Sequence, residues 1–101
     1  MQFVVIAYDG KDEHAFERRL AAREAHIRRA EELFNAGKLL FASAILNDEG
    51  KMIGSILICD FDSIDSLHNE WLSSEPYVVG NVWEKIEIKR AQVAKFCLKP
   101  L

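Results

Sequence analysis

Long apolar runs, paired cysteines and a surplus of basic charge are all missing from this chain, and each absence closes a class of function. No apolar stretch approaches the ~20 residues that a membrane span needs, so no membrane partner is expected. Cysteine occurs twice, at Cys59 and Cys97, far apart and without C-x-x-C spacing; both are expected as buried thiols in a chain stabilised by its core. The N-terminal stretch Met1 to Asp9 lacks a basic start, a long apolar run and a small-residue cleavage site, so it does not read as a secretion signal and a cytoplasmic location is expected. Thirteen basic residues stand against sixteen acidic ones and are interspersed with them, which gives no attraction for phosphate backbones; nucleic acid is not an expected partner. His14, His26 and His68 never fall at i, i+4 and stand apart from the thiols, so no metal site is expected. The five glycines are too dispersed for a phosphate-cradling loop, and no cofactor of the usual nucleotide kinds is expected.

What is present is the balance of a globular protein: half of the 101 residues are apolar and 29% are charged. That supports one modest core and a single domain over residues 1–101. Phe3 to Tyr8 is a run of β-branched and aromatic residues closed by Asp9-Gly10, the pattern of a strand buried on both faces. From about Asp12 to Asn35 the period becomes helical, with Phe16, Leu20, Ile27, Ala30 and Phe34 as the apolar stripe and Gly37 at the stop. Leu39 to Leu46 and Met52 to Phe61 read as a strand pair around the turn residues Asn47 to Lys51. Asp62-Ser63 offers an N-cap for a shorter helix with Ile64, Leu67, Trp71 and Leu72 inward, and Pro76 closes it. Val82 to Lys89 alternates as a half-exposed strand, and Val93 to Leu98 is a short extended segment.

The order β-α-β-β-α-β is the split βαβ arrangement, an α+β fold in which two helices cover one face of an antiparallel four-stranded sheet. Phe3 to Tyr8 and Ser55 to Cys59 are apolar at nearly every position, so the other face needs a cover too. A second copy of the same sheet is the simplest one, and a homodimer is expected.

On a helix at 100° per residue, Phe16, Leu20, Ile27 and Phe34 lie within about 40° of one another, with Arg23 about 20° from Phe16 and inside the stripe. Arg19 and His26 lie about 60° and 80° to one side, so the three basic residues form a ridge along the stripe's border. As ordinary border residues the arginines would snorkel to acids such as Glu24, and His26 would be half-buried. As a site, the ridge needs a second group, and Ser73-Ser74-Glu75-Pro76-Tyr77 places a carboxylate between a helix end and a proline. A carboxylate bonded to one imidazole nitrogen fixes the tautomer and leaves the other nitrogen to move a proton, so His26 with Glu75 forms a candidate acid/base pair. Tyr77 is either a donor or packing, and Trp83 alternates with Lys85 and Glu87, toward a subunit contact or solvent.

Arg23-Glu24-Ala25-His26, Gly37-Lys38-Leu39-Leu40, Gly54-Ser55, Pro76-Tyr77 and Val82 to Lys89 (Val-Trp-Glu-Lys-Ile-Glu-Ile-Lys), in that order, resemble the YciI-like (YCII-related domain) family over nearly the whole chain. The resemblance implies a ferredoxin-like dimeric α+β barrel with a site made of a first-helix histidine and an aspartate before Pro-Tyr. Carried over, these are His26 and Glu75, the latter longer by one methylene than the family's residue. The family often has Ser-Gly-Pro or Ala-Gly-Pro at the end of strand two, where this chain has Ala42-Ser43-Ala44. One branch of the family resembles dehydrochlorinases of chlorinated hydroxyquinols, and the wider superfamily contains muconolactone isomerases and small monooxygenases. The reading is therefore a small cofactor-independent lyase or isomerase acting on an anionic or oxygenated ring compound. His26 moves the proton, Glu75 orients it, Arg19 and Arg23 attract an anionic oxygen, and Ser43 and Tyr77 are further ligand contacts. The alternative is a noncatalytic dimeric module that binds a small ligand or a partner protein domain through the same pocket.

Overall fold

Strand β1 (Gln2–Asp9) alternates in burial: Phe3, Val5 and Ala7 are shut into the core, while Val4 and Ile6 are only half-buried and Tyr8 is exposed. Within one chain only one face of the strand is covered, not both as its composition suggests. The computed structural model describes residues 1–98. It runs β1, α1 (Ala15–Asn35), β2 (Leu39–Leu46), β3 (Met52–Asp60), α2 (Ile64–Glu70), α3 (Pro76–Val79) and β4 (Trp83–Ala91). The sheet order is β2-β3-β1-β4 with every pairing antiparallel, and the helices lie on one face. This is the ferredoxin-like α+β fold, as the element order implies.

Local chemistry sets the joints. At the end of α1, Gly37 takes a φ of +77° that glycine adopts without a Cβ penalty, and Lys38 N–H reaches back to the Leu33 carbonyl at 2.8 Å. That six-to-one bond is the Schellman stop, and it turns the chain directly into β2. Ser63 caps α2, its hydroxyl accepting from Ser66 N–H at 3.0 Å.

Proline behaves differently from its expected role. After α2 the chain makes a 3₁₀ turn at Leu72–Ser74, Glu75 is extended, and Pro76 opens α3 as its first residue instead of simply ending a longer helix. Of the expected inward stripe, Leu67, Trp71 and Leu72 are buried and Ile64 is exposed at the helix start.

Three other expectations fail at β4 and beyond it. Tyr8 pairs with Lys85 but Asp9 pairs with Trp83, so Glu84 is an extra residue and the alternation of β4 is interrupted. That bulge turns Trp83 into the core, away from the side shared by Lys85 and Glu87, and its indole donates to Ser55 Oγ at 3.2 Å. Toward the C-terminus, Lys95–Leu98 is a 3₁₀ turn and not an extended segment, and Cys97 on it is exposed, contrary to its expected burial.

Cys59 does sit in the core, with its thiol 3.6 Å from the Phe3 carbonyl. Burial pushes that thiol from 9.0 up to about 12, so the native state holds it neutral at a pH where the unfolded chain ionises it. Its contribution is full below pH 9 and is lost as the pH climbs toward about 12. Unfolding free energies from urea titrations should therefore fall through that window by up to about 1.4 kcal/mol per pH unit from this group, and Cys59→Ala should flatten the fall.

Candidate active site

The face that α1 turns toward the sheet is polar at its centre. Arg19 and His26 are buried there with Ala15 and Leu33, while Leu20, Ile27 and Phe34 are 50%, 47% and 59% exposed. The expected apolar stripe is thus on the flank of the helix, about a quarter-turn from where its periodicity put it. The reason lies beneath the helix, where polar partners for both buried side chains wait on other elements. Ala15, Ala22 and Ala30 also let the backbone approach closely.

Arg19 is 2% exposed, and its Nη1 lies 2.9 and 3.0 Å from the two carboxylate oxygens of Asp9. Its Nη2 donates to Ser55 Oγ at 3.1 Å, and the guanidinium covers the Tyr77 ring at 4.7 Å. The charge expected to attract a ligand oxygen is therefore occupied by Asp9. Burial holds the Asp9 carboxyl above its ordinary range, although Arg19 pulls it the other way.

His26 lies one to two turns further along the same face. Its Nδ1 is bonded to Oε1 of Glu75, and its ring stacks on Tyr77 at 3.9 Å with 12° between the planes. Glu75 is 1% exposed, far from the exposed turn acid that its position before a proline would suggest. Its Oε2 accepts the Trp71 indole N–H at 2.9 Å, and Oε1 also accepts Tyr77 N–H at 3.4 Å as the N-cap of α3. Every neighbour of the carboxylate is a donor, which assigns a proton to Nδ1.

A cavity of about 140 Å³ lies between α1 and the β2–β3 side of the sheet. Arg19, Arg23, His26, Ser43 and Tyr77 all line it, and Glu75 stands behind His26. Five candidates thus share one wall system, and the sixth supports it. Among the described residues, neither His26 Nε2 nor the Tyr77 hydroxyl has a hydrogen-bond partner, and Arg19 Nε is the one unpartnered side-chain polar atom fully shut from solvent. Both side chains line the cavity. Burial raises the Tyr77 hydroxyl above its ordinary value of 10.0, so it remains a donor at neutral pH. Arg23 is exposed at the rim, and Ser43 lines the β2 wall with its hydroxyl donating to the Ala44 carbonyl at 3.0 Å.

Sequence reasoning missed Asp9, Ser55, Trp71 and Trp83 as parts of this network. Asp9 was legible only as a turn residue beside Gly10, and Ser55 only within the Gly54-Ser55 pair. A single acid at a strand end, one helix register from two buried basic residues, was the available signal.

A ferredoxin-like sheet carrying a buried histidine–carboxylate pair beside a small cavity defines the class. The chain belongs to the YCII-related domain family, whose model matches residues 1–92. It is 34% identical over 95 residues to Protein YciI of Escherichia coli, an alignment covering 88% of this chain and 94% of that one. A Haemophilus influenzae protein is 30% identical over the same coverage. Among solved structures, the chain superposes with a TM-score of 0.78 and 22% identity on the 5-chloro-2-hydroxyhydroquinone dehydrochlorinase TftG of Burkholderia phenoliruptrix, solved as a complex with 2,5-dihydroxybenzoquinone. That match covers 95% of this chain and 98% of the other, and it is a likeness of fold.

Removing one partner of a buried ion pair strands the other charge, at a cost of about 3–5 kcal/mol. Arg19→Met should lose that much in urea unfolding because Asp9 stays buried without its cation. Adding Asp9→Asn should restore at least half of the loss, and a double mutant no more stable than the single would show that the pair is not the source.

Proposed function

We propose that this protein is a small cofactor-independent enzyme that moves a proton on an anionic or oxygenated ring compound, in the manner of a lyase or isomerase. One observation carries the reading: His26 is fixed by Glu75 through Nδ1, and its ring, stacked on Tyr77, lines a small cavity together with that tyrosine. Nε2 takes the proton from a ring carbon or hydroxyl, and the Glu75 carboxylate steadies the imidazolium that forms. The Tyr77 hydroxyl donates to the developing enolate oxygen, Arg23 draws an anionic group to the rim, and Ser43 lines the opposite wall. Arg19 acts at one remove, holding the Tyr77 ring in place. The fold neighbour's dehydrochlorinase activity and its bound dihydroxybenzoquinone support a ring substrate of this kind.

The working unit is a homodimer in this reading. Val4, Ile6 and Tyr8 on β1, with Ile56 and Ile58 on β3, make an apolar strip at the centre of the sheet's helix-free face, beside the charged row Lys85, Glu87 and Lys89 of β4, and a second copy covers it. The free thiols of Cys59 and the exposed Cys97 suit a reducing, cytoplasmic setting.

Nitrogen NMR of the imidazole tests the pair directly. The native protein should show His26 as a single Nδ1–H tautomer, and Glu75→Gln should mix the tautomers; an unchanged spectrum would remove the pairing. On any ring acid turned over in a screen of hydroxylated and chlorinated compounds, His26→Gln should lose about 10²-fold or more in kcat. Sedimentation should give a dimer at micromolar concentration, and a stable monomer there would sink the assembly.

A further inference from the structure

The cavity beside His26 has a larger neighbour at the end of the sheet. A groove of about 620 Å³ lies between the β1–α1 loop, the first turn of α1 and the β2–β3 turn. Phe16 lines the groove, and Arg19, the next position but two along α1, lines the cavity, so the two spaces follow one another along the helix. Met52 is the single described residue that lines both. It stands at the start of β3, opposite the register shift between Ile45 and Leu46, and is only half-buried.

Size gives this partition a consequence. A dry void of about 150 Å³ accommodates one benzene ring, so the 140 Å³ beside His26 holds a single six-membered ring with little room for more. The way along α1 from that cavity into the groove passes Met52. An unbranched thioether side chain with three rotatable bonds is well suited to filling such a gap and yielding to neighbours. Beyond it, Phe16 offers an aromatic surface, with Lys51 Nζ 4.5 Å from its ring centroid. Of the acids at that end, Asp9 and Asp12 are bound to Arg19 and Arg18, while Glu13 and Glu84 also line the groove.

We propose that Met52 is the specificity-determining residue of the site: it divides one crevice into a ring pocket and a groove, and so restricts the ligand to a single ring. The inference rests on the ring-compound reading above and adds the residue that sets ligand size. Replacing Met52 with alanine joins the two spaces and admits a second ring toward Phe16.

The test compares 2,5-dihydroxybenzoquinone with the two-ring 2-hydroxy-1,4-naphthoquinone, reading Kd by calorimetry and contact by the His26 imidazole shifts. In Met52→Ala the affinity ratio should move toward the two-ring probe by about tenfold or more, the scale on which a few methylenes discriminate in a pocket. Met52→Leu, which retains most of the volume, should stay near the native ratio. If the single-ring probe shifts His26 but the ratio is the same in all three proteins, Met52 is not the partition and the ring-binding reading survives. If neither probe binds any folded variant, the ring-binding reading fails and this inference falls with it.

Discussion

The Glu75 carboxylate is the point on which the arrangement of the helical layer depends. It accepts from His26 on α1, from the Trp71 indole just after α2, and from the Tyr77 N–H in the first turn of α3. His26, 49 residues away, is thereby held to the same buried group as Trp71 and Tyr77, its close neighbours in sequence. A buried carboxylate is tolerated only where its acceptor capacity is met, and here each oxygen is met by a donor that the fold itself delivers. The residue also explains the chain path around it: an extended backbone before proline ends the 3₁₀ turn, and the same side chain then caps the next helix.

A second polar contact, Arg19 on Asp9, acts with the first to set the rotation of α1. Helix periodicity alone favours burial of Leu20, Ile27 and Phe34, whose removal from water would contribute about 1.5–3 kcal/mol each. The structure instead buries an arginine and a histidine. Burying either without a partner would cost more than those leucine-class gains, whereas burying both against waiting carboxylates brings them into register with Tyr77 and Trp83. Function and apolar economy conflict on this helix, and the flank left exposed records that conflict.

The cavity follows from the same geometry. Because α1 presents polar groups inward over Ser55 and Tyr77, the space between helix and sheet is lined by the His26 and Tyr77 side chains rather than closed by leucine from the helix. The extra residue in β4 matters here too. By rotating Trp83 inward it gives the His26 ring an aromatic edge at 6.0 Å and gives Ser55 a second partner. Such support keeps the His26 ring in one orientation.

The amino-acid sequence by itself determined the element order, the strand and helix positions to within a few residues, and the ferredoxin-like class, because alternation, helical period and turn residues are local signals. It also contained the residues that share the cavity: Arg23 and His26 were marked by their placement on a helix otherwise apolar on that side, and Glu75 by its place before Pro76. Tertiary structure alone decided which face of α1 is buried, since that choice depends on Asp9 and Glu75 lying 10 and 49 residues from their partners. It decided that Arg19 is bound to Asp9 and Ser55, and that Trp83 turns inward at a bulge no alternation pattern reveals. Those outcomes are set by pairings between distant segments, and a linear pattern carries the residues of such a pair without the contact between them.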